Sequence, residues 1–69
     1  MAVSYKKLWI LLIEKNMKKT DLRIQSGIST GALAKLGRNE NVNTEVLAKI
    51  CKTLNCDISD IMEMVPEEV

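Results

Sequence analysis

The sequence predicts an all-α domain built as a five-helix bundle, and three observations carry that prediction. Apolar residues recur three and four apart in separate segments, as at Leu8, Leu11 and Leu12, at Leu33 and Leu36, and at Leu47, Ile50 and Leu54. Phe is absent and Trp and Tyr occur once each within an apolar share of 46%, so aliphatic side chains must fill a helical core. Gly27 stands between two short periodic segments, where a residue without Cβ takes φ > 0 at little cost and lets the chain reverse.

The first helix is expected from about Ser4 to Asn16, with Leu8, Leu11 and Leu12 as its inward stripe. Trp9, Ile10 and Ile13 lie round the other side, more apolar surface than one core needs. Trp9 and Ile13 are expected to pack within the chain, under the C-terminal segment, and Ile10 falls between core and subunit contact. Asn16-Met17 makes the first corner, with Met17 turned inward. The second helix, about Lys19 to Ser26, lacks a good cap at Lys18 and Lys19, although Asp21 suits its positive end. Lysines there oppose the helix dipole. A phosphate would relieve that conflict and accept from the free N–H groups; the alternative is two ordinary surface lysines.

Ser29 can cap a third helix, about Thr30 to Leu36, by accepting from the N–H of Gly31 or Ala32. Leu33 and Leu36 then face inward with Ala32 near the joint, which leaves Ser29, Thr30, Gly31, Ala34 and Lys35 outside and Arg38 just beyond the end. These outward side chains are small, and no Gln, Asn or Arg stands mid-helix. Residues 37–43 read as a loop with Gly37 as terminator. Asn43 caps a fourth helix, Thr44 to Leu54, whose stripe is Val46, Leu47, Ile50, Cys51 and Leu54, and Asn55 ends it. Asp57 caps a last short helix with Ile58, Ile61, Met62 and Val65 inward. The expected division is one domain over residues 1–65 and a loose acidic tail over 66–69.

Sixty-nine residues allow one small domain, which buries only about 60% of its unfolded surface. The longest apolar run, Leu8 to Ile13, is far short of a membrane span, and no secretory signal precedes it, so a soluble, cytoplasmic protein without membrane contact is expected. Cys51 and Cys56 have no His to join them, and two thiolates do not complete a zinc site. They are expected to be reduced and buried, with no metal and no cofactor. Without His, a nucleophile motif or a glycine-rich phosphate loop, the chain is expected not to be an enzyme.

Net charge is only +1, but it is segregated. Residues 1–38 carry eight Lys/Arg against Glu14 and Asp21, a net +6, and residues 39–69 carry Lys49 and Lys52 against seven acids, a net −5. The basic half contains the paired short helices, as a phosphate-facing surface requires.

The run L-x4-G-I-S-x3-L-x2-L from Leu22 to Leu36 resembles a helix-turn-helix. Extended to Met17, and followed by L-x2-I-x3-L at Leu47 to Leu54 and D-I-x2-I at Asp57 to Ile61, it resembles the lambda-repressor-like family of Cro/XRE type. The resemblance covers about Leu8 to Met62. It implies a five-helix bundle and a sequence-specific DNA-binding regulator, a repressor of phage or bacterial type. It places Ser29, Thr30, Gly31, Ala34 and Lys35 at base edges and Lys18, Lys19, Arg38, Asn39 and Asn41 at phosphates of double-stranded DNA, with a homodimer as the working unit. Three departures stand out. Arg23 replaces the usual Ala near the helix crossing, so it must snorkel outward, where it either reaches a phosphate or loosens the joint. Leu12 and Gly37 hold the places of a frequent Arg–Glu pair, and the usual Gln residues at the two helix starts are missing. The competing reading is a protein-interaction module, an antitoxin or adaptor, that keeps the fold without strong DNA readout.

Overall fold

The computed structural model describes residues 1–67. In chain order it comprises β1 (Ala2–Ser4), α1 (Lys6–Glu14), α2 (Lys19–Ser26), α3 (Thr30–Gly37), α4 (Thr44–Leu54), a 3-10 turn (Ile58–Asp60) and β2 (Glu63–Val65). Among the described residues the chain is therefore mostly helical, with four α-helices rather than five. Residues 58–65 form a single 3-10 turn followed by a strand that runs antiparallel to β1, pairing Ala2 with Val65, Val3 with Met64 and Ser4 with Glu63. The reason is local. Asp57 and Asp60 close the turn on themselves, Asp57 accepting from the Ile58 N–H at 2.8 Å and Asp60 from the Asp57 N–H at 3.0 Å. Val65 precedes Pro66, and a residue before proline is driven from the helical region toward extended backbone. Between the 3-10 turn and Pro66 there are too few residues to nucleate a helix, and β1 supplies hydrogen-bond partners instead.

The same strand shortens α1. Ser4 is extended, and α1 begins at Lys6, two residues later than the spacing predicts. Tyr5, between strand and helix, is the largest fully buried side chain near the N-terminus. Its N–H donates to the Asn39 side chain at 3.0 Å and its hydroxyl to the Glu40 carbonyl at 2.9 Å. Burial pushes its phenol pKa up, partly offset by the Val42 backbone. Tyr5 thus ties the start of α1 to the loop after α3.

Leu8 and Leu12 of α1, Leu22 of α2, Leu36 of α3, Leu47, Ile50 and Leu54 of α4 and Ile61 form one contiguous core with Tyr5 and Ile28. Each such buried aliphatic side chain is worth about 2 kcal/mol of transfer free energy. Met17, Ala32, Leu33, Val46 and Cys51 pack against it half-buried. Two expectations about packing fail. Ile13 is 74% exposed, because the C-terminal strand pairs with β1 and does not cover that side of α1. Ile58 is 38% exposed, since the turn points Ile61 rather than Ile58 into the core.

Helix ends follow one device. Gly27 after α2, and Asn16, Asn39 and Asn55 after α1, α3 and α4, all have positive φ, between 53° and 75°. Gly37, expected to stop α3, is its last residue and lacks a positive φ; Asn39 takes the left-handed position and the Glu40 N–H returns to the Lys35 carbonyl at 2.9 Å. The expected acidic tail is covered only in part: Pro66 and Glu67 are exposed, Glu67 lies 3.9 Å from the N-terminal amine, and Glu68 and Val69 lie outside the described residues.

Candidate nucleic-acid interface

α2 and α3 meet over Leu22, Ile28 and Leu36, all buried, and Gly27 makes the reversal between them at φ 75°. The Ser29 hydroxyl accepts from the Ala32 N–H at 3.0 Å, which fixes where α3 starts. With Leu36 inward and Ala32 and Leu33 half-buried, the helical period puts Ser29, Thr30, Gly31, Ala34 and Lys35 on the outside, and all five are exposed. No side chain on that surface before Lys35 is larger than Thr, so the backbone of α3 can approach a flat-walled groove closely. Between this face and α4 lies a shallow depression of about 270 Å³, lined by Ser29, Gly31, Lys35, Val42, Asn43 and Val46. The sequence marks Val46 only as part of the inward stripe of the fourth helix and does not single out Val42. Val42 lies in the loop before α4, where no apolar period marks it.

Lys18 and Lys19 begin α2, exposed, and the Lys18 N–H donates to the Asp21 carboxylate at 3.0 Å. That closes one end of the helix cap. An ammonium has no lone pair to accept with, so the N–H groups of the first turn stay open to an outside acceptor. Arg38, Asn39 and Asn41 follow α3 and are exposed. Two of these three carry internal duties. The Arg38 guanidinium pairs with the Glu40 carboxylate, which pulls the Glu40 pKa below the usual carboxylate range. The Asn39 side-chain oxygen holds the Tyr5 N–H, so the amide group alone remains for an external acceptor. Lys35 lines both the depression beside α3 and a larger cleft of about 640 Å³ between the loop after α3 and the β1–β2 ribbon, which also includes Asn39 and Asn41. The ten residues read from the sequence thus lie at the start of α2, along the outside of α3 and in its following loop.

Arg23 is half-buried at the end of α2, neither fully exposed nor inside the joint. Leu12 is buried in the aliphatic core. Cys51 and Cys56 are free thiols, half-buried rather than buried. No helix among the described residues is long and apolar enough to cross a membrane.

Comparison with known proteins bears on the fold and the family. The profile of the Cro/C1-type HTH DNA-binding domain matches residues 7–67. The crystal structure of the transcriptional regulator VanUg (form II) superposes with a TM-score of 0.92 at 56% sequence identity, covering 96% of this chain and 88% of that one. None of the curated proteins matches the chain. The match spans every α-helix from the second residue of α1 onward, and the chain belongs to the family of Cro/C1-type helix-turn-helix DNA-binding domains.

Proposed function

We propose that this protein is a sequence-specific transcriptional regulator of repressor type, which inserts α3 into the major groove of double-stranded DNA and works as a homodimer. The observation that carries the reading is the outer face of α3. It is exposed and nearly bare of long side chains apart from Lys35, with Arg38 exposed just past its end and Lys18 and Lys19 exposed at the start of α2. Ser29, Thr30, Gly31, Ala34 and Lys35 would meet base edges, with the Thr30 and Ala34 methyls suited to thymine and Lys35 to guanine O6 or N7. Lys18, Lys19, Arg38, Asn39 and Asn41 would hold phosphates on either side. Direct readout from so few polar groups is sparse. Shape and deformability of the duplex would therefore carry much of the specificity.

Selection of bound duplexes from a random DNA pool tests this. A palindromic motif should emerge with half-sites about 10 bp apart, the separation of successive major grooves on one side of the duplex. Binding should also fall steeply with salt, with a log–log slope of several units from counterion release. Recovery of no motif together with a flat salt response would refute the reading.

A further inference from the structure

The outer side of α1 is a surface the DNA-binding reading does not use. Ile13 is 74% and Ile10 46% exposed, one turn apart on the same side of the helix. Beside Ile13 the helix drops into a cup of about 440 Å³ lined by Trp9, Leu12, Ile13, Met17, Lys18 and Lys19. Its floor is apolar. Its rim is cationic: the Lys19 ammonium lies 4.4 Å from the centre of the Trp9 ring, and Lys18 begins α2 alongside. Residues 6–19 hold five lysines against Glu14. Lys7 alone of these five has a carboxylate within 4 Å among the described residues, Glu63 at 3.8 Å.

We infer that this cup and the Ile10–Ile13 ridge dock an acidic amphipathic segment of a partner protein, and that the partner and DNA exclude one another. An apolar side chain of the segment fills the cup while its Asp or Glu neighbours reach Lys18 and Lys19. Charge complementarity selects this occupant. A second copy placed symmetrically on the same face would set two clusters of lysines against each other, and a copy placed through its acidic half would make a head-to-tail contact, which closes only at particular rotations. The ridge continues past the cup along α1, farther than a small anion would follow. Exclusion of DNA rests on the proposed phosphate role of Lys18 and Lys19: carboxylates on these ammonium groups occupy the charges that a phosphate would neutralise.

The test uses the full chain and a displayed library of random 16-residue peptides, selected on the wild type and counter-selected on Ile13→Glu. Ile13 is solvent-facing, so Ile13→Glu should keep the wild-type melting temperature, and the neutral companion Ile13→Ser, which sets no carboxylate beside Lys18 and Lys19, should also keep the wild-type DNA affinity. Enriched peptides should combine large apolar residues three or four apart with several Asp or Glu. Trp9 is the sole tryptophan, and its emission should shift on binding. Affinity for the synthesised peptide should fall at least about tenfold in Ile13→Glu, the cost of setting a charge in an apolar anchor site. Peptide and duplex should displace each other. Enrichment of neutral or basic peptides, peptides indifferent to Ile13→Glu, or joint binding of peptide and duplex would each overturn the inference. So would self-association abolished by Ile13→Glu, which would assign the face to a second copy, or a Trp9 shift obtained with anionic lipid vesicles and not with peptide. A wild type that binds peptide but no duplex would instead sink the DNA-binding reading, and with it the exclusion.

Discussion

Arg38 and Lys35 sit three residues apart and differ in what already holds them. Lys35 has no carboxylate within 4 Å among the described residues, whereas Arg38 is paired with Glu40 at the protein surface. Lys35 projects from the outer face of α3, so Lys35→Ala should relax preference at particular base pairs. In the proposed interface Arg38 lies past the helix, beside phosphates and not base edges; Arg38→Ala should weaken all duplexes alike and reduce the salt slope by about 1. Glu40→Gln removes the competitor for that guanidinium and should tighten binding of every duplex. Filter or anisotropy titrations at several salt concentrations check all three, and unchanged slopes throughout would remove the proposed face. The cysteines have a different reason to be quiet. Burial, then the neighbouring Cys56 and the Asp57 and Asp60 carboxylates, push the Cys51 thiol up to about 11. The thiolate is the nucleophile, so a raised pKa means a smaller reactive fraction at neutral pH. Alkylation of Cys51 by iodoacetamide in the native state should be slow at pH 7 and should keep accelerating up to about pH 11. A rate that levels off in the ordinary thiol range would contradict this assignment.

At the scale of elements, two glycines give opposite expectations from the same open space. A Cβ built at Gly27 or at Gly37 meets nothing within 4 Å, so neither site is limited by packing. Gly27 has φ 75°, and Ala there should cost about 1 kcal/mol from left-handed backbone strain. Gly37 is the last residue of α3 and has no positive φ, so Ala there should stabilise by roughly 0.5–1 kcal/mol through lost freedom of the unfolded chain. Thermal melts should therefore move in opposite directions, by about 4–8 °C per kcal/mol for a domain of this size. Equal shifts of the same sign would mean that packing, not backbone conformation, governs both. The contrast also explains what the sequence made legible. Gly27 between two apolar periods marked its turn, and Ser29 and Asn43 marked the starts of α3 and α4 because short oxygen-bearing side chains cap. The span of α4 followed from a strong single stripe. Gly37 misled as a stop, since Asn39 two residues on also tolerates the left-handed region and gains the Tyr5 N–H. The β1–β2 ribbon was illegible from period alone: three residues per strand are too few to show alternation. Its one cue was Val65 before Pro66. The exposure of Ile13 depended on where the C-terminal residues go, which is a tertiary fact. The positions outside α3 could be read because α3 has only one apolar side.

On the scale of the whole molecule, one copy of the chain offers few base contacts, and sparse contacts have to be doubled to compete with bulk DNA. A two-fold dimer would bring two α3 helices to about 34 Å, the distance between successive major grooves on one side of the duplex. The chain measures 36 × 24 × 18 Å, so two copies side by side can span that distance. The acidic half supplies the contact in this proposal. Met64 is 53% exposed, and it belongs to strand β2, not to a helix. That change of element alters how the contact would form. The ribbon has two strands, so the edge of β2 away from β1 lacks a strand partner among the described residues, and a free edge templates pairing with a second chain. Backbone hydrogen bonds would set the register, and Met64 would add the apolar anchor. Sedimentation of the wild type and of Met64→Glu, each with and without a palindromic duplex, separates the outcomes. The wild type should dimerise at least on DNA, and the variant should dimerise more weakly, because like carboxylates would face each other across the two-fold axis. A wild type that stays monomeric on its duplex excludes the dimer altogether. If Met64→Glu dimerises as the wild type does, the interface is not at β2. Proline at Met64 is the sharper companion, since it removes an N–H without adding charge. If that hydrogen points to the free edge, Met64→Pro should abolish dimers; if it is already bonded to β1, the same variant should instead lower the melting temperature of the monomer.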